Sequence, residues 1–207
     1  DGKKNLLRKM KREKFTILES TCVPLPLGNI DTDQIIPARF LTSTEREGFG
    51  EKLFCDWRYD SNGTPVPGFV LNRPEYRGKI LITGSNFGCG SSREHAVWAI
   101  TGYGFRAVVS DSFADIFMNN ALNNGLLPVV IPSDLLARLT ALVTEKPGTK
   151  ISIDLENQLL FVPGTGLQSG FPVNAFMKEC LMKGVDSIDY LLAMKEEIAA
   201  YERTRKG

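Results

Sequence analysis

The chain has 207 residues, 43% hydrophobic and 24% charged, with 25 Lys and Arg against 24 Asp and Glu. That near-neutral balance gives no basic field for nucleic acid and no acidic tail. No apolar run reaches the roughly 18 residues of a membrane-spanning helix and the N-terminal stretch lacks an apolar signal core, so a cytoplasmic protein without membrane or nucleic-acid partners is expected.

Residues 1–14 carry seven Lys or Arg and read as a basic N-terminal arm or cloning remnant, ahead of one domain over 15–207. Residues 15–23 read as a strand, and Pro24-Leu25-Pro26-Leu27-Gly28 cannot be central ladder. An acidic turn, Asn29-Ile30-Asp31-Thr32-Asp33-Gln34, leads into apolar residues. Residues 42–77 show no sustained period and form a long loop excursion, with a short hairpin at Asn62-Gly63 and a short strand over 66–71. Its aromatics Phe49, Phe54, Trp57 and Tyr59 exceed what a free loop should expose and mark it as part of a partner contact.

From residue 79 the rhythm becomes strand, helix, strand, helix. A buried strand over 79–83 precedes a helix from Glu94 to Tyr103, closed by Gly102 and Gly104. A strand over 106–110 follows, then a helix opened by Ser112 with apolar positions Phe113, Ile116, Phe117 and Ala121, ending at Asn123-Asn124-Gly125. Next come a strand over 126–131 and a helix capped by Ser133 and stopped by Lys146-Pro147-Gly148. Ile151, Ile153 and Leu155 alternate and Leu159 and Phe161 return, which predicts an antiparallel hairpin. Asn174 and Ser187 cap two closing helices. The fold class is α/β, a mixed sheet with helices packed on one face.

The chemistry concentrates in Asn86-Phe87-Gly88-Cys89-Gly90-Ser91-Ser92-Arg93-Glu94-His95, between a predicted strand and a predicted helix. Gly88 and Gly90 permit positive φ and close backbone approach, and a helix N-terminus fed by such a loop and joined by an arginine suits an anion. A second account of Ser91 and Glu94 is a capping box, Ser91-x-x-Glu94, which would commit the Ser91 hydroxyl to backbone amides. Cysteines at 22, 55, 89 and 180 show no C-x-x-C pair, and with a single histidine they suggest no zinc or iron–sulfur site in this chain.

Three segments, residues 29–37, Asn86 to His95, and 112–117 continuing to Gly125-Leu126-Leu127-Pro128, resemble the swivel domain of the aconitase superfamily. The pattern Gly48-Phe49-Gly50, Leu53-Phe54, Asp56-Trp57-Arg58 and Phe69-Val70-Leu71-Asn72 is similar to the isopropylmalate isomerase small-subunit family. The likeness runs from about residue 15 to 192. It implies a swivelling β/β/α domain and a hydro-lyase of leucine biosynthesis that isomerises 2-isopropylmalate to 3-isopropylmalate. It also implies a separate large subunit carrying a 4Fe-4S cubane cluster, so that this chain itself holds no cofactor and no metal.

By the same resemblance, Ser91 is the catalytic base and Ser92 and Arg93 grip a carboxylate of the dicarboxylate substrate. A planar guanidinium meets a carboxylate with two bonds. Asp33 and Thr32 match the Thr-Asp motif that orients the serine and arginine, although Asp31 and Asp33 could also simply shape an Asx turn. Arg39 is a further substrate-binding candidate, and Leu41 falls where relatives contact the substrate's variable group. His95 reads as structural. Two alternatives stay open: the same chemistry on homoaconitate or 2-methylmalate, and a non-catalytic anion-binding module.

Overall fold

The computed structural model describes residues 12–42 and 46–193; the basic arm expected over 1–14 lies, up to residue 11, outside them. The strand expected over 15–23 is two strands, β1 (Ile17–Ser20) and β2 (Cys22–Leu25), which join different sheets. β2 pairs in parallel with β3 (Ile80–Thr83), β3 with β4 (Ala107–Ser110), and β4 with β5 (Leu127–Val130). Only the last residue of β5 is not fully buried. Such uniform burial requires cover on both faces, as parallel sheets usually have. Pro24 and Pro128 sit in β2 and β5, the two edges of this sheet, where a missing N–H breaks no internal ladder bond.

β1 pairs antiparallel with β6 (Ile151–Asp154), β6 with β7 (Leu159–Phe161), and β7 with β8 (Gln168–Gly170). The α/β class is as expected, but the strand directions are segregated into two sheets instead of mixed in one. Helices also lie on both faces of the parallel sheet instead of one. Strands β2 to β5 lie in sequence order, so right-handed crossovers between them fall on one face. There α3 (Glu94–Tyr103) and α4 (Asp115–Asn123) pack Val97, Ile100, Phe117 and Ala121 with Leu81 and Val108. The opposite face, Ile80, Ile82, Ala107 and Val109, is covered by α5 (Ser133–Glu145) and the antiparallel sheet.

The long connection from β2 to β3 carries α1 (Thr32–Ile35), α2 (Cys55–Arg58) and three 3-10 turns on the α3 face. The strand expected over 66–71 does not form. Phe69, Asn72 and Arg73 each donate back three residues, and the Asn72 amide binds the carbonyls of Arg58 and Val66, which curls the segment into a turn at Val70–Asn72. The hairpin at Asn62-Gly63 is present, with Gly63 at φ 77° and Tyr59 bridged to Pro65. Phe49 and Phe54 are fully buried within the chain, so their number no longer argues for a partner contact. Ser112 and Ser133 do not cap: α4 and α5 start after Ala114 and Pro132 with no side-chain cap. Asn174 does cap α6 (Ala175–Lys183), whereas the cap of α7 (Ser187–Ala193) is Asp186, whose carboxylate accepts from the Asp189 N–H.

The turn at Phe49–Lys52 lies on α3 through glycine against glycine. A Cβ at Gly50 would stand 2.3 Å from the carbonyl carbon of Gly102. Gly50→Ala should therefore destabilise the fold by about 1–3 kcal/mol through overpacking against backbone. Gly68→Ala, at ordinary φ with nothing within 4 Å of the new Cβ, should be neutral or stabilise by about 0.4–1 kcal/mol. Urea unfolding of the two variants checks both signs.

Candidate active site

The loops leaving the carboxyl ends of β2, β3 and β4 meet at one end of the parallel sheet, where open α/β sheets place ligands. Backbone bonds tie them together. Gly84 and Asn29 link the first two loops, donating to Leu27 and Ser85 at 3.0 and 2.8 Å, and Gly88 and Thr32 donate to Ile30 and Cys89 at 2.8 and 2.9 Å. The third loop is held by Phe87 donating to Ser112 and Ala114 donating to Phe87, at 3.2 and 3.0 Å. The Ser112 hydroxyl, expected at a cap, instead accepts from the Asn86 N–H at 2.9 Å.

The loop after β3 turns through left-handed residues, with Asn86 at φ 57°, Gly88 at 77° and Gly90 at 89°. Asn86 donates its side-chain amide to Asn29, itself at φ 55°. Gly88 is required twice over: its φ is left-handed, and a Cβ there would stand 2.2 Å from Cγ of Phe117. Phe117 in turn sits edge-on to Phe87, centroids 5.1 Å apart.

This arrangement opens a cleft of about 250 Å³. One wall is Gly88, Gly90, Ser91, Ser92 and Arg93 with Thr32; the other is residues 114–117, the start of α4. The capping box does not form. α3 begins at Glu94 with Arg93 as N-cap and no side-chain cap bond. The Glu94 carboxylate accepts from the Asn124 amide at 2.9 Å instead of reaching back. Ser91 is exposed, and among the described residues its hydroxyl and the N–H groups of Ser91, Ser92 and Arg93 have no hydrogen-bond partner. These three N–H groups are open just ahead of α3, a position suited to an anion.

Arg93 and Asp33 form a two-pronged ion pair across the first two loops: Nη2 meets Oδ2 at 2.8 Å, and Nη1 bonds Oδ1. The Arg93 side chain is only 14% exposed. Its guanidinium hydrogen bond holds the Asp33 carboxyl below the usual aspartate range. Asp33 thus takes no part in an Asx turn; Asp31 alone caps α1, in a capping box with Gln34. Thr32 is buried and donates its hydroxyl to the Ser91 carbonyl at 2.9 Å, which braces the serine from below.

Arg39 and Leu41 do not line the cleft. Arg39 pairs with Asp56 at 3.0 Å and lies over the Phe40 ring, and Leu41 packs against the core beside it. His95 joins Phe49 and Trp98 in a cluster of three rings, its centroid 5.4 and 4.6 Å from theirs. Sequence reading missed the opposite wall. Ile116, grouped there with the apolar face of α4, is 53% exposed and faces the cleft. Adjacent Phe117 occupies the core position at 3% exposure, and Ile116 falls outside the buried stripe of α4.

No group of three or more His, Cys, Asp or Glu side chains able to hold a metal ion occurs among the described residues. The four cysteines are unpaired, Cys22 and Cys180 buried. The residues present do not fit an iron–sulfur cluster, which needs several converging thiolates. Among the described residues no helix is long and apolar enough to cross a membrane.

Loop, sheet and cleft together define a domain of the aconitase type, and the family model described as the aconitase C-terminal domain matches residues 12–134. The 3-isopropylmalate dehydratase small subunit of Cytophaga hutchinsonii is 54% identical over 94% of this chain and 96% of its own length. That of Christiangramia forsetii is 54% identical over 94% and 95%. A crystal structure of 3-isopropylmalate dehydratase from Methanocaldococcus jannaschii superposes with a TM-score of 0.63 at 29% identity, covering 92% of this chain and 99% of that one. The chain belongs to the family of 3-isopropylmalate dehydratase small subunits.

The ion pair has a pH signature. Because the folded value of Asp33 is depressed, the pair is intact above the ordinary aspartate range of about 3.9 and is lost as pH falls through the lower folded value. Carbon-detected NMR titration should find the Asp33 carboxyl below that range in the wild type and back within it in Arg93→Gln.

Proposed function

We propose that this chain is the acid–base and carboxylate-binding half of a two-subunit hydro-lyase of leucine biosynthesis, which converts 2-isopropylmalate to 3-isopropylmalate by removing water and returning it the other way round. The single observation that carries the reading is the unengaged Ser91 hydroxyl beside three open amides and a clamped guanidinium. The relatives supply the reaction class through their names.

Dehydration of a hydroxy acid requires removal of a weakly acidic C–H proton. Ser91 Oγ is the group assigned to it: it takes the proton as an alkoxide and returns it to the alkene on rehydration. A serine hydroxyl is a feeble base, so the alkoxide must be stabilised in place. The N–H groups of residues 91–93, the positive end of α3 and the Arg93 charge supply that stabilisation. Thr32 keeps the serine backbone fixed through its bond to the Ser91 carbonyl.

Arg93 and Ser92 hold one substrate carboxylate. A guanidinium has five N–H donors; two are committed to Asp33, so three remain for substrate. Asp33 is therefore a positioning residue, which fixes the fork without consuming it. The large subunit is the proposed site of the 4Fe-4S cluster, whose Lewis acidity would serve the departing hydroxyl.

Ser91→Ala should lower kcat by about 100-fold or more in the complex reconstituted with the large subunit, the scale of losing a general base, while gel filtration shows unchanged assembly. A near-normal rate would remove Ser91 from catalysis. The chain purified alone should show neither iron–sulfur absorbance nor turnover.

A further inference from the structure

The open N–H groups of residues 91–93 have an anion close at hand within the chain itself. Glu94 follows them directly and stands three residues after Ser91, the spacing at which a glutamate folds back in a capping box. A carboxylate settled there would occupy the place proposed for a substrate carboxylate. It is held elsewhere. Its Oε1 accepts from the Asn124 side-chain amide at 2.9 Å and faces Nη2 of Arg46 at 3.5 Å. Asn124 caps the end of α4 and is oriented from two sides. Its Nδ2 also donates to the Asn120 carbonyl at 2.9 Å, and its Oδ1 accepts from the Trp98 indole N–H at 3.2 Å. Arg46 lies over the Trp98 ring, 4.9 Å from its centroid. Neither Asn124, Trp98 nor Arg46 lines the cleft.

We infer that Asn124 is a positioning residue for the substrate-binding loop: it draws the Glu94 carboxylate off the open amides, and so keeps the chain from filling its own carboxylate site. The inference rests on the hydro-lyase reading above and deepens it. An indole nitrogen can only donate. Trp98 therefore turns the Asn124 oxygen toward itself and the amide nitrogen toward Glu94. The pull in the other direction is a general one, since a carboxylate at the first turn of a helix gains from free amides and from the helix dipole. The Glu94 side chain is half-exposed, so its position depends on its polar partners and not on packing. Arg46 is exposed as well, and an exposed ion pair contributes little. That leaves the charge-assisted bond from Asn124 as the main restraint.

Asn124→Asp keeps the size of the side chain and replaces its donor by a second carboxylate, which repels Glu94. In the complex reconstituted with the large subunit it should raise KM for 2-isopropylmalate about fivefold, the scale on which a helix cap of ordinary strength competes, with kcat little changed. Adding Glu94→Gln, which removes the competing charge, should return KM to the wild-type value; a merely structural Asn124 predicts no such rescue. Trp98→Phe, which keeps a ring and removes the indole donor, should shift KM the same way by a smaller factor and be rescued by the same second change. In the chain alone, the amide proton signals of Ser91 and Ser92 should move in Asn124→Asp and return in the double variant. An unchanged KM in Asn124→Asp, or a raised KM that Glu94→Gln does not restore, overturns the inference, as do amide signals that stay at their wild-type positions. Wild-type complex that does not turn over 2-isopropylmalate overturns the hydro-lyase reading, and the amide signals, which need no substrate, still decide where Glu94 goes.

Discussion

The site depends on one contact, the backbone of Gly88 lying directly on the ring of Phe117. No side chain fits between them, since even a Cβ would come within 2.2 Å of the ring. The contact joins the loop after β3 to the first turn of α4, and so sets the separation of the two walls of the cleft. Phe117 can bear the load because it is wedged against Phe87 and Phe113 in the core. Protein interiors resist such displacements, which makes the cleft a rigid consequence of core packing and not an adjustable surface loop.

A second constraint acts on charge. Arg93 is nearly buried, and a guanidinium so placed needs a partner. Asp33 provides it from the neighbouring loop, on the exposed side. The pair commits two of the five guanidinium donors to structure, and Arg93 itself lines the cleft. This arrangement suits recognition of a carboxylate better than a free surface arginine would, since the fork has already lost its rotamer freedom before the ligand arrives.

Much of this was legible in the sequence, and what was not has physical causes. The strand-loop-helix unit around residue 90 declared itself because glycine spacing, a buried β-branched run and an amphipathic helix agree at every level. The state of Ser91 was not decidable. Ser91-x-x-Glu94 satisfies the spacing of a capping box, and only the distant Asn124, which captures Glu94, shows that the box stays open. Ile116 was misassigned because helical periodicity bins neighbouring apolar residues together, whereas the tertiary position of Phe117 takes the core slot. The split of the first strand between two sheets was likewise hidden, since Thr21 separates two runs of equal strand character and pairing is a long-range choice. Phe49 and Phe54 looked like surplus surface aromatics because nothing local reveals that α3 offers Gly102 as a landing site for Gly50.

Topology connects these parts. Sequential parallel strands send α3 and α4 to one face, which sets their N-termini side by side at the carboxyl end of the sheet. Each crossover then begins beside the cleft, α3 with its open amides and α4 with its apolar and acidic first turn. The opposite face is left to α5 and the antiparallel sheet, which stabilise the domain without touching the cleft. Under the proposed function, a domain organised this way carries proton transfer and carboxylate binding on one rigid edge and offers that edge to the large subunit. The four cysteines are unpaired, Cys22 and Cys180 in the core and Cys55 in polar contact with Arg39 and Asp56.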